Sequence, residues 1–357
     1  MSAVTEGRRL VDEAARCLDA VLRQVPFIEV VGIDQQAPEG RERGADLVLT
    51  LRTPEGTRRL VVQVKTKASP RDLRLMAQQL KTYVTGMPDA VAVIVAPYLS
   101  DRSRDICQEL DVGCLDLAGN VRLAFDQVFI DRGGNPSPTP LRRPQRSLFA
   151  PRSTRVLRVL LEDPSRPWYV RDLASAARVS LGQTSNVKRL LTDQDLIAEQ
   201  DRAFSLSKPG TLLREWAKTY SPEANETRLL YAMLSVSEVE ERLAEECDRR
   251  GTRYGLALFS GANRVAPFTS YNRAYAFVEG RLDATADALG MKAVSSGANV
   301  ALMTPYDEGV FYGLQEIGAT RVVSDVQLYL DLKNTAGRGD EAAEFLYERR
   351  LVPRWNR

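Results

Sequence analysis

The stretch VRDLASAARVSLGQTSNVKRLLTDQ, residues 170–194, decides the fold of the middle of the chain. VRDLASAA and LGQTSNVKRLLTDQ each predict a helix, and ARVS (177–180) predicts the turn that joins them. In the second helix, Val187, Leu190 and Leu191 recur at the spacing of one buried face. The first positions of this helix are polar, so the segment predicts two short helices, the second of which presents a polar surface.

The flanking residues extend this pair of helices into a larger unit. STRVLRVLLED (153–163) predicts a Ser-capped helix with an apolar inner face, and TLLREWAKTY (211–220) predicts a closing helix. Between them, IAEQDRAFSLSKPG (197–210) alternates and turns like the two strands of a hairpin. In order, spacing and polarity, residues 153–220 resemble the winged helix-turn-helix domains of transcriptional regulators.

This resemblance implies that the second helix is a recognition helix for double-stranded DNA. Short or planar hydrogen-bonding side chains at its start suit base edges in the major groove, and basic side chains one turn later and on the wing suit phosphates. The predicted DNA-binding residues are Gln183, Thr184, Ser185, Asn186, Lys188, Arg189, Arg202 and Lys208. A winged helix used for protein–protein contact is the alternative. Residues 151–222 carry 12 basic and 8 acidic groups, and this balance of +4 favours DNA.

Residues 1–132 show the pattern of a mixed sheet covered by helices. Helices are predicted at 5–24, 71–85 and 100–113, and strands at 27–33, 45–51, 60–65 and from Ala90 onward. The run AVAVIVAPY is continuously apolar, which is typical of a strand buried on both faces. CLDLAGNVRLAF (114–125) predicts strand, turn and strand, with Asp116 and Asn120 shaping the turn. The order αβββαβαβ therefore predicts a mixed α/β sheet domain.

Three polar residues on two of these strands form a pattern. Asp46 opens one strand, and Gln63 and Lys65 lie on one face near the end of the next. This resembles the Asp…Gln-x-Lys branch of the PD-(D/E)XK nuclease superfamily, seen in Mrr-like restriction endonucleases. The resemblance implies that Asp46 and Gln63 hold Mg²⁺ and that Lys65 orients the attacking water. A degenerate, non-catalytic core is the alternative, because Gln63 supplies a neutral oxygen in place of a carboxylate.

Other residues could complete or extend this pattern. Glu6, Glu13 or Glu29 could add the missing carboxylate, although nothing in the sequence selects one of them. Gln78 and Gln79 occupy the following helix, where the superfamily often has a further polar residue. No cofactor is expected unless the domain is a nuclease, and Mg²⁺ is expected in that case.

Proline and arginine mark the end of the first domain. Residues 133–152, GGNPSPTPLRRPQRSLFAPR, forbid regular helix and predict an extended, basic linker. A weaker boundary lies near Tyr220, and residues 221–357 predict a C-terminal α/β domain. There, a helix is predicted at 235–250, strands at 253–268, 271–280 and 299–306, and a helix at 281–290 that Gly290 ends. Two final helices are split by the loop Gly337-Arg338-Gly339. The predicted fold class is multidomain α/β (α+β).

Three longer segments carry a further resemblance: GCLDLAGNVRL (113–123), GLALFSGANRVAP (255–267) and VVSDVQLYLDLKNTAGRGDEAAEFL (322–346). They resemble the AbiEi family of antitoxins and transcriptional regulators of type IV toxin–antitoxin systems. Better-known members place the winged helix at the N-terminus, whereas this chain carries a nuclease-like domain ahead of it. The resemblance implies autorepression at the protein's own promoter and functional opposition to a nucleotidyltransferase toxin, without a need for direct contact. Asp331 and Lys333 are predicted to form a helix surface.

Composition excludes several other classes of protein. The chain of 357 residues contains no histidine, which excludes Ser-His-Asp and Cys-His catalysis and histidine-containing zinc sites. The four cysteines, at 17, 107, 114 and 247, form no CxxC pair and are expected to be reduced thiols. The charged N-terminus predicts no signal peptide, and no apolar run is long enough to span a membrane. These features predict a cytoplasmic protein with no membrane partner.

The sequence supports three competing functions. The leading one is a sequence-specific DNA-binding transcriptional regulator, an autorepressing type IV antitoxin with a degenerate nuclease fold. The alternative is a Mg²⁺-dependent DNA endonuclease that uses Asp46, Gln63 and Lys65 and is targeted by the winged helix. A scaffold whose acidic C-terminal domain holds a partner protein is the third. A homodimer fits the DNA-binding interpretations because helix-turn-helix proteins commonly occupy two half-sites, but no coiled-coil stripe supplies an interface.

Overall fold

The computed structural model describes residues 3–35, 45–66, 69–136 and 148–356, with side chains from residue 7 onward. Residues 137–147 of the predicted linker and the side chain of Glu6 therefore lie outside the described residues. The chain divides into two compact units. The first contains residues 1–142 and 192–195, and the second contains residues 143–191 and 196–357. Both units combine helices with sheets, which confirms the predicted α/β (α+β) fold class.

The first unit is built on a seven-stranded mixed sheet in the order β1-β2-β3-β4-β5-β6-β7. Strands β3, β4 and β5 run parallel, and every other neighbouring pair in this sheet is antiparallel. Helices α2 and α3 are the crossover connections that parallel neighbours require. The elements are α1 (Ala3–Leu22), β1 (Glu29–Gln35), β2 (Leu47–Thr53), β3 (Gly56–Val64), α2 (Pro70–Val84), β4 (Ala90–Ala96), α3 (Asp101–Glu109), β5 (Gly113–Asp116), β6 (Val121–Phe125) and β7 (Val128–Arg132).

Strand β4 is buried on both faces, as its apolar run predicts. Val93 and Val95 belong to the core on one side of the sheet, together with residues of α1. Ala92 and Ile94 belong to the core on the other side, together with residues of α2 and α3. Two apolar layers therefore enclose the sheet, and the end of β3 that carries Gln63 adjoins the layer formed by α2.

The Asp116 carboxylate organises the turn between β5 and β6. It accepts hydrogen bonds from the backbone N–H groups of Leu99, Ala118 and Asn120 and from the Asn120 side-chain amide, all at 2.9–3.0 Å. Asn120 Oδ1 in turn accepts from the backbone N–H of Asn135. Both side chains are buried and fully engaged, so the predicted structural role of Asp116 and Asn120 is confirmed.

Residues 148–220 form a helix–hairpin segment, all of which except 192–195 belongs to the second unit. Its elements are α4 (Pro151–Glu162), α5 (Val170–Ala177), α6 (Leu181–Asp193), β8 (Ile197–Gln200), β9 (Ala203–Leu206) and α7 (Pro209–Thr219). They follow the predicted order. Sequence inspection missed Trp168, which pairs with Phe204 through two backbone hydrogen bonds of 2.8 and 3.0 Å and adds a third, one-residue strand to the hairpin.

The C-terminal segment, residues 221–356, forms a second mixed sheet in the order β13-β10-β14-β12-β11-β16-β15. Its strands are β10 (Glu226–Tyr231), β11 (Tyr254–Leu256), β12 (Ala274–Val278), β13 (Lys292–Ala293), β14 (Val300–Thr304), β15 (Gln315–Ile317) and β16 (Thr320–Val322). Its helices are α8 (Val236–Arg250), α9 (Leu258–Val265), α10 (Leu282–Ala288), α11 (Asp325–Lys333), α12 (Gly339–Leu346) and α13 (Val352–Trp355), with a π-helical turn at Tyr347–Leu351.

One predicted strand of this segment is wrong. The apolar pattern predicts a strand over residues 253–268, but the strand stops at Leu256 and α9 begins at Leu258. Gly261 permits this because a Cβ there would lie 2.5 Å from the Leu256 carbonyl oxygen and 2.7 Å from a Leu328 methyl group. Buried Ser260 also accepts a hydrogen bond from the Tyr275 backbone N–H. Tertiary packing, which the apolar pattern does not reveal, therefore selects the helix.

The helix–hairpin and C-terminal segments share one continuous hydrophobic core. Polar contacts also join them. The Trp355 indole N–H donates to the Leu161 carbonyl oxygen at 2.9 Å, and Arg354 pairs with Glu162 at 2.7 Å. Both contacts join the end of α4 to α13. The helix–hairpin and C-terminal segments therefore form a single unit.

Candidate nucleic-acid interface

The turn between α5 and α6 depends on two residues. Arg178 ends α5 in the left-handed conformation (φ 52°), where its backbone N–H donates to the carbonyl oxygen of Ser175. The Ser180 hydroxyl then accepts from the backbone N–H of Gln183 at 3.2 Å and satisfies one of the open donors at the start of α6. This chemistry sets the direction in which α6 leaves the turn.

The inner face of α6 holds two of the predicted DNA-binding residues. Thr184 is fully buried and donates its hydroxyl to the Ser180 carbonyl oxygen, so the expectation that it is exposed is wrong. Gln183 is half-buried, and its amide nitrogen donates to the Ser153 hydroxyl of α4 at 2.7 Å. Val187, Leu190 and Leu191 are buried as predicted. Positions 183 and 184 therefore attach α6 to the segment beneath it.

The outer face of α6 presents the other predicted residues. Ser185 and Arg189 are exposed, and Asn186 is half-buried. The Arg189 guanidinium donates to Asn186 Oδ1 at 3.0 Å, a contact that does not use the two N–H donors of the Asn186 amide. Leu181 is 55% exposed at the first position of the helix, and Gly182 beside it is exposed. The accessible surface of α6 thus combines a hydroxyl, an amide and a guanidinium.

Lys188 connects α6 to the hairpin. Its ammonium group lies 2.7 Å from Glu199 of β8 and 5.2 Å from the centre of the Phe204 ring. Arg202 is exposed at the tip of the hairpin beside Asp201, which adopts φ 54°. Lys208 immediately precedes α7 and is half-buried. Of the basic residues predicted on the hairpin, Arg202 is the more accessible.

Several arginines that sequence reasoning did not select share one property. They have no carboxylate partner among the described residues. Arg202, which the sequence did predict, also lacks one among those residues and is included in the set. They are Arg152, Arg166, Arg171, Arg178, Arg202 and Arg214. Arg166 and Arg214 lie over aromatic rings, those of Trp168 and Tyr347. In the sequence, the net charge of +4 over residues 151–222 was the one sign of these free cations. A net charge does not show which cations pair with a carboxylate.

The C-terminal segment shows the opposite pattern. Most of its arginines pair with carboxylates at 2.5–3.3 Å; these are Arg228, Arg249, Arg250, Arg253, Arg264, Arg321, Arg338, Arg350 and Arg354. Paired charges cancel at a distance, whereas unpaired ones sum to a positive potential. Uncompensated positive charge in the second unit is therefore concentrated in the helix–hairpin segment.

The other predicted site, the nuclease-like pattern of Asp46, Gln63 and Lys65, lies in the first unit. Leu47 faces Val62 in the β2–β3 register, so Asp46 stands opposite Gln63. The Asp46 carboxylate accepts a 2.8 Å hydrogen bond from the Val64 backbone N–H, and Lys65 is exposed. Gln63, Gln78, Gln79 and Tyr83 line an open groove between β3 and α2. Leu75 and Leu80 also line the groove, and none of its lining residues is a carboxylate.

Among the predicted metal-binding residues, Asp46 is the one carboxylate, and Gln63 offers a neutral oxygen. Divalent magnesium sites in proteins usually rely on one or two carboxylates with an open approach, and Asp46 is already bonded to the β3 backbone. Glu13 pairs with Arg9, and Glu29 pairs with Arg52. Within the described residues, no group of three acidic or cysteine side chains could hold a metal ion. Two of the three carboxylates suggested by the sequence are thus already paired with arginine, and the third, Glu6, has its side chain outside the described residues.

Comparison with known proteins finds one family model that matches the C-terminal part of the second unit. Residues 205–352 match a family model described as transcriptional regulator, AbiEi antitoxin, type IV TA system. The match confirms the AbiEi resemblance over those residues; it includes α7 but not α5 or α6. No curated protein and no solved structure matches the chain. In the described parts of the chain, no helix is long and apolar enough to cross a membrane.

The matched region contains a buried polar cluster. The Tyr220 hydroxyl and the Gln327 amide both donate to Asp331 Oδ1 at 2.7 Å. Burial raises the pKa of Asp331 to about 6, while those hydrogen bonds and the nearby Arg158 charge act in the opposite direction. Asp331 is 2% exposed, so its predicted place on a helix surface is wrong. Lys333 pairs with Asp340 and Glu344.

Proposed function

We propose that the chain is a sequence-specific DNA-binding transcriptional regulator that acts through a winged helix, residues 153–220, and serves as the autorepressing antitoxin of a type IV toxin–antitoxin system. The observation that carries the proposal is the distribution of uncompensated arginines: they lie in the helix–hairpin segment, while the C-terminal segment pairs most of its own. Neutralisation of phosphates by such cations supplies much of the affinity of DNA-binding proteins.

The surface of α6 supports direct reading of bases. In winged helix-turn-helix proteins the recognition helix enters the major groove and presents residues from its N-terminal half to base edges. Ser185 and Asn186 are accessible there, and Asn forms paired hydrogen bonds with adenine. Arg189 lies one turn further along, and Arg202 at the hairpin tip suits a flanking phosphate. Thr184 and Gln183 act by holding the helix in place.

The match over residues 205–352 supports the antitoxin part of the proposal. The partners would be double-stranded DNA of the protein's own promoter and, in function, a nucleotidyltransferase toxin in the cytoplasm. A homodimer on two half-sites would suit a palindromic operator. The first unit would then act as a structural domain with a degenerate nuclease fold.

Fluorescence anisotropy with a labelled fragment of the upstream region tests the DNA-binding part. We expect the full-length protein to bind this fragment far more tightly than unrelated DNA of the same length. Arg202→Ala should weaken binding about 3–10-fold, whereas Arg242→Ala, which removes an equally exposed arginine from α8, should not. Equal losses in the two variants, or no preference for the upstream fragment, would contradict the proposal.

A separate incubation with plasmid DNA addresses the endonuclease alternative. Supercoiled plasmid carrying the upstream region is mixed with the protein in EDTA, Mg²⁺ or Mn²⁺ and is analysed both before and after removal of protein. We expect a shift that needs no metal and plasmid that stays supercoiled after deproteinisation. Nicking that requires metal and disappears in Lys65→Ala would replace the regulator with a nuclease.

A further inference from the structure

A small pocket in the second unit lies between the end of α5 and the C-terminal segment. Its volume is about 150 Å³, and its walls include Arg178, Arg155 of α4, and Arg253, Glu308, Phe311 and Tyr312 of the C-terminal segment. Typical pockets for drug-sized ligands measure about 300–1,000 Å³. This pocket is therefore suited to a group the size of a phosphate.

One of its three arginines is already fully occupied. Arg155 donates through Nε and Nη2 to the Asp307 carboxylate at 2.9 Å and through Nη1 to Glu308 Oε1 at 2.6 Å. Gly309 makes room for this arrangement, since a Cβ there would lie 2.8 Å from Asp307 Oδ1 and 3.1 Å from Arg155 Cγ. Arg155 thus forms part of the wall, and its single positive charge is shared between Asp307 and Glu308.

The other two arginines retain hydrogen-bonding capacity. Arg253 uses Nε and Nη2 for Glu279, and its Nη2 also lies 3.6 Å from Glu308 Oε2; its Nη1 makes no hydrogen bond to the described residues. The Phe311 ring lies 5.3 Å from its guanidinium carbon and fixes its position. Arg178 is exposed and has no ion pair or side-chain hydrogen bond within the described chain. The Tyr312 hydroxyl likewise has no hydrogen-bond partner among those residues.

We propose that this pocket binds a phosphate group through Arg178 and Arg253. Arginine is the side chain best suited to phosphate because its planar guanidinium offers paired N–H donors. Each carboxylate nearby has an arginine partner: Asp307 and Glu308 share Arg155, Glu308 also lies 3.6 Å from Arg253, and Glu279 pairs with Arg253. The three arginines and these three carboxylates sum to no net charge, so a phosphate would be held by the directed N–H donors of Arg178 and of Arg253 Nη1.

Two sources could supply the phosphate. Arg178 ends α5 and begins the turn that positions α6, so a backbone phosphate of bound DNA could reach it, an option that depends on the proposed function. A small phosphorylated molecule could also enter the pocket and would then touch the turn that orients α6. Both sources share one recognition chemistry, and the experiment below separates them.

Thermal unfolding of the full-length protein in sodium phosphate, against sodium chloride of equal ionic strength, is the primary test. We expect a saturable rise in Tm of roughly 3–6 °C at about ten times the Kd. Arg178→Ala should abolish the rise, Arg178→Lys should reduce it, and Arg171→Ala, an exposed arginine on the same helix outside the pocket, should leave it unchanged. A rise that Arg178→Ala retains, or no saturable rise, overturns the proposal.

The second arm measures DNA affinity at increasing phosphate and constant ionic strength. If phosphate competes with DNA in the native protein, and Arg178→Ala binds DNA weakly and without sensitivity to phosphate, the site is assigned to the DNA backbone. If phosphate raises Tm but leaves the DNA affinity unchanged, the site is assigned to a small phosphorylated molecule. Because the Tm measurement contains no DNA, failure of the proposed DNA binding leaves the pocket test intact.

Discussion

The Tyr220 hydroxyl donates a 2.7 Å hydrogen bond to Oδ1 of Asp331, 111 residues further along the chain. Tyr220 follows α7, and Asp331 lies on α11, so this bond joins the helix–hairpin segment to the C-terminal segment inside their common core. Arg158 of α4 is also buried there, and its guanidinium lies 5.0 Å from the centre of the Trp216 ring. The two segments are therefore coupled by a polar cluster as well as by apolar packing.

The stability of this cluster should depend on pH through Asp331. Burial raises the pKa of this carboxyl from 3.8 to about 6 in the folded protein. Between these values the folded state keeps a proton that the unfolded state has released. The resulting stabilisation is complete below about pH 4 and is lost as the pH rises to about 6, by up to about 3 kcal/mol. Asp331→Asn should remove this dependence.

Urea unfolding of the native protein and of Asp331→Asn at pH 4, 5, 6 and 7 measures the effect. The asparagine amide would keep an oxygen for the Tyr220 and Gln327 donors but would not titrate. Carboxyls whose pKa is lowered by arginine, such as Glu246 and Glu279, contribute a slope of opposite sign in both proteins and cancel in the difference. Parallel stability curves for the two proteins would show that Asp331 is ionised throughout this range.

Close packing at Gly261 gives a second prediction. A Cβ at this position would meet the Leu256 backbone, which cannot move aside without disturbing β11. Gly261→Ala should therefore lower the free energy of unfolding by about 1–3 kcal/mol. Gly182→Ala is the matched control, because a Cβ there meets nothing within 4 Å and alanine favours the helix. If the two variants were equally stable in chemical denaturation, the packing argument would be wrong.

Much of the fold could be predicted from local pattern. Val187, Leu190 and Leu191 mark the buried face of α6, and the apolar run from Ala90 marks a doubly buried strand; both features depend on periodicity and burial alone. Trp168 and α9 were missed because each is determined by a distant partner. Trp168 pairs with Phe204, and α9 packs on Leu256 and Leu328 through Gly261.

The candidate site was harder to predict for the same reason. The polar residue types on α6 indicate a surface for bases, but periodicity alone did not show that Thr184 turns inward or that Gln183 bonds to Ser153. Asp331 was misplaced because its hydrogen-bond partner Tyr220 lies in another segment of the chain. Which arginines lack a carboxylate partner is likewise a property of the folded protein, since it depends on contacts across the sequence.

The ion pair between Lys188 and Glu199 leads to a third prediction. Glu199 places a negative charge beside the surface proposed to meet DNA, and it partly neutralises Lys188. Glu199→Gln should therefore strengthen DNA binding about 2–5-fold at low salt, while Lys188→Ala should weaken it. Stability should fall by less than about 1 kcal/mol in Glu199→Gln, as is usual for a partly exposed pair. Anisotropy titrations at two salt concentrations measure the affinities, and weaker binding by Glu199→Gln would place this edge away from DNA.

Asn186 and Arg202 should affect DNA binding in different ways. Asn186→Ala should lower affinity for the operator by about 1–3 kcal/mol and leave non-specific affinity nearly unchanged, because an amide that reads a base contributes only at the correct sequence. Arg202→Ala should lower both affinities and reduce the slope of log K against log salt by about 1, because a phosphate contact is independent of sequence. Asp46→Ala, in the first unit, should change neither. Titrations of the operator and of a scrambled fragment from about 50 to 200 mM salt separate the two effects. If Asn186→Ala weakened both fragments equally, α6 would not be reading bases, and the winged helix would bind DNA by charge alone.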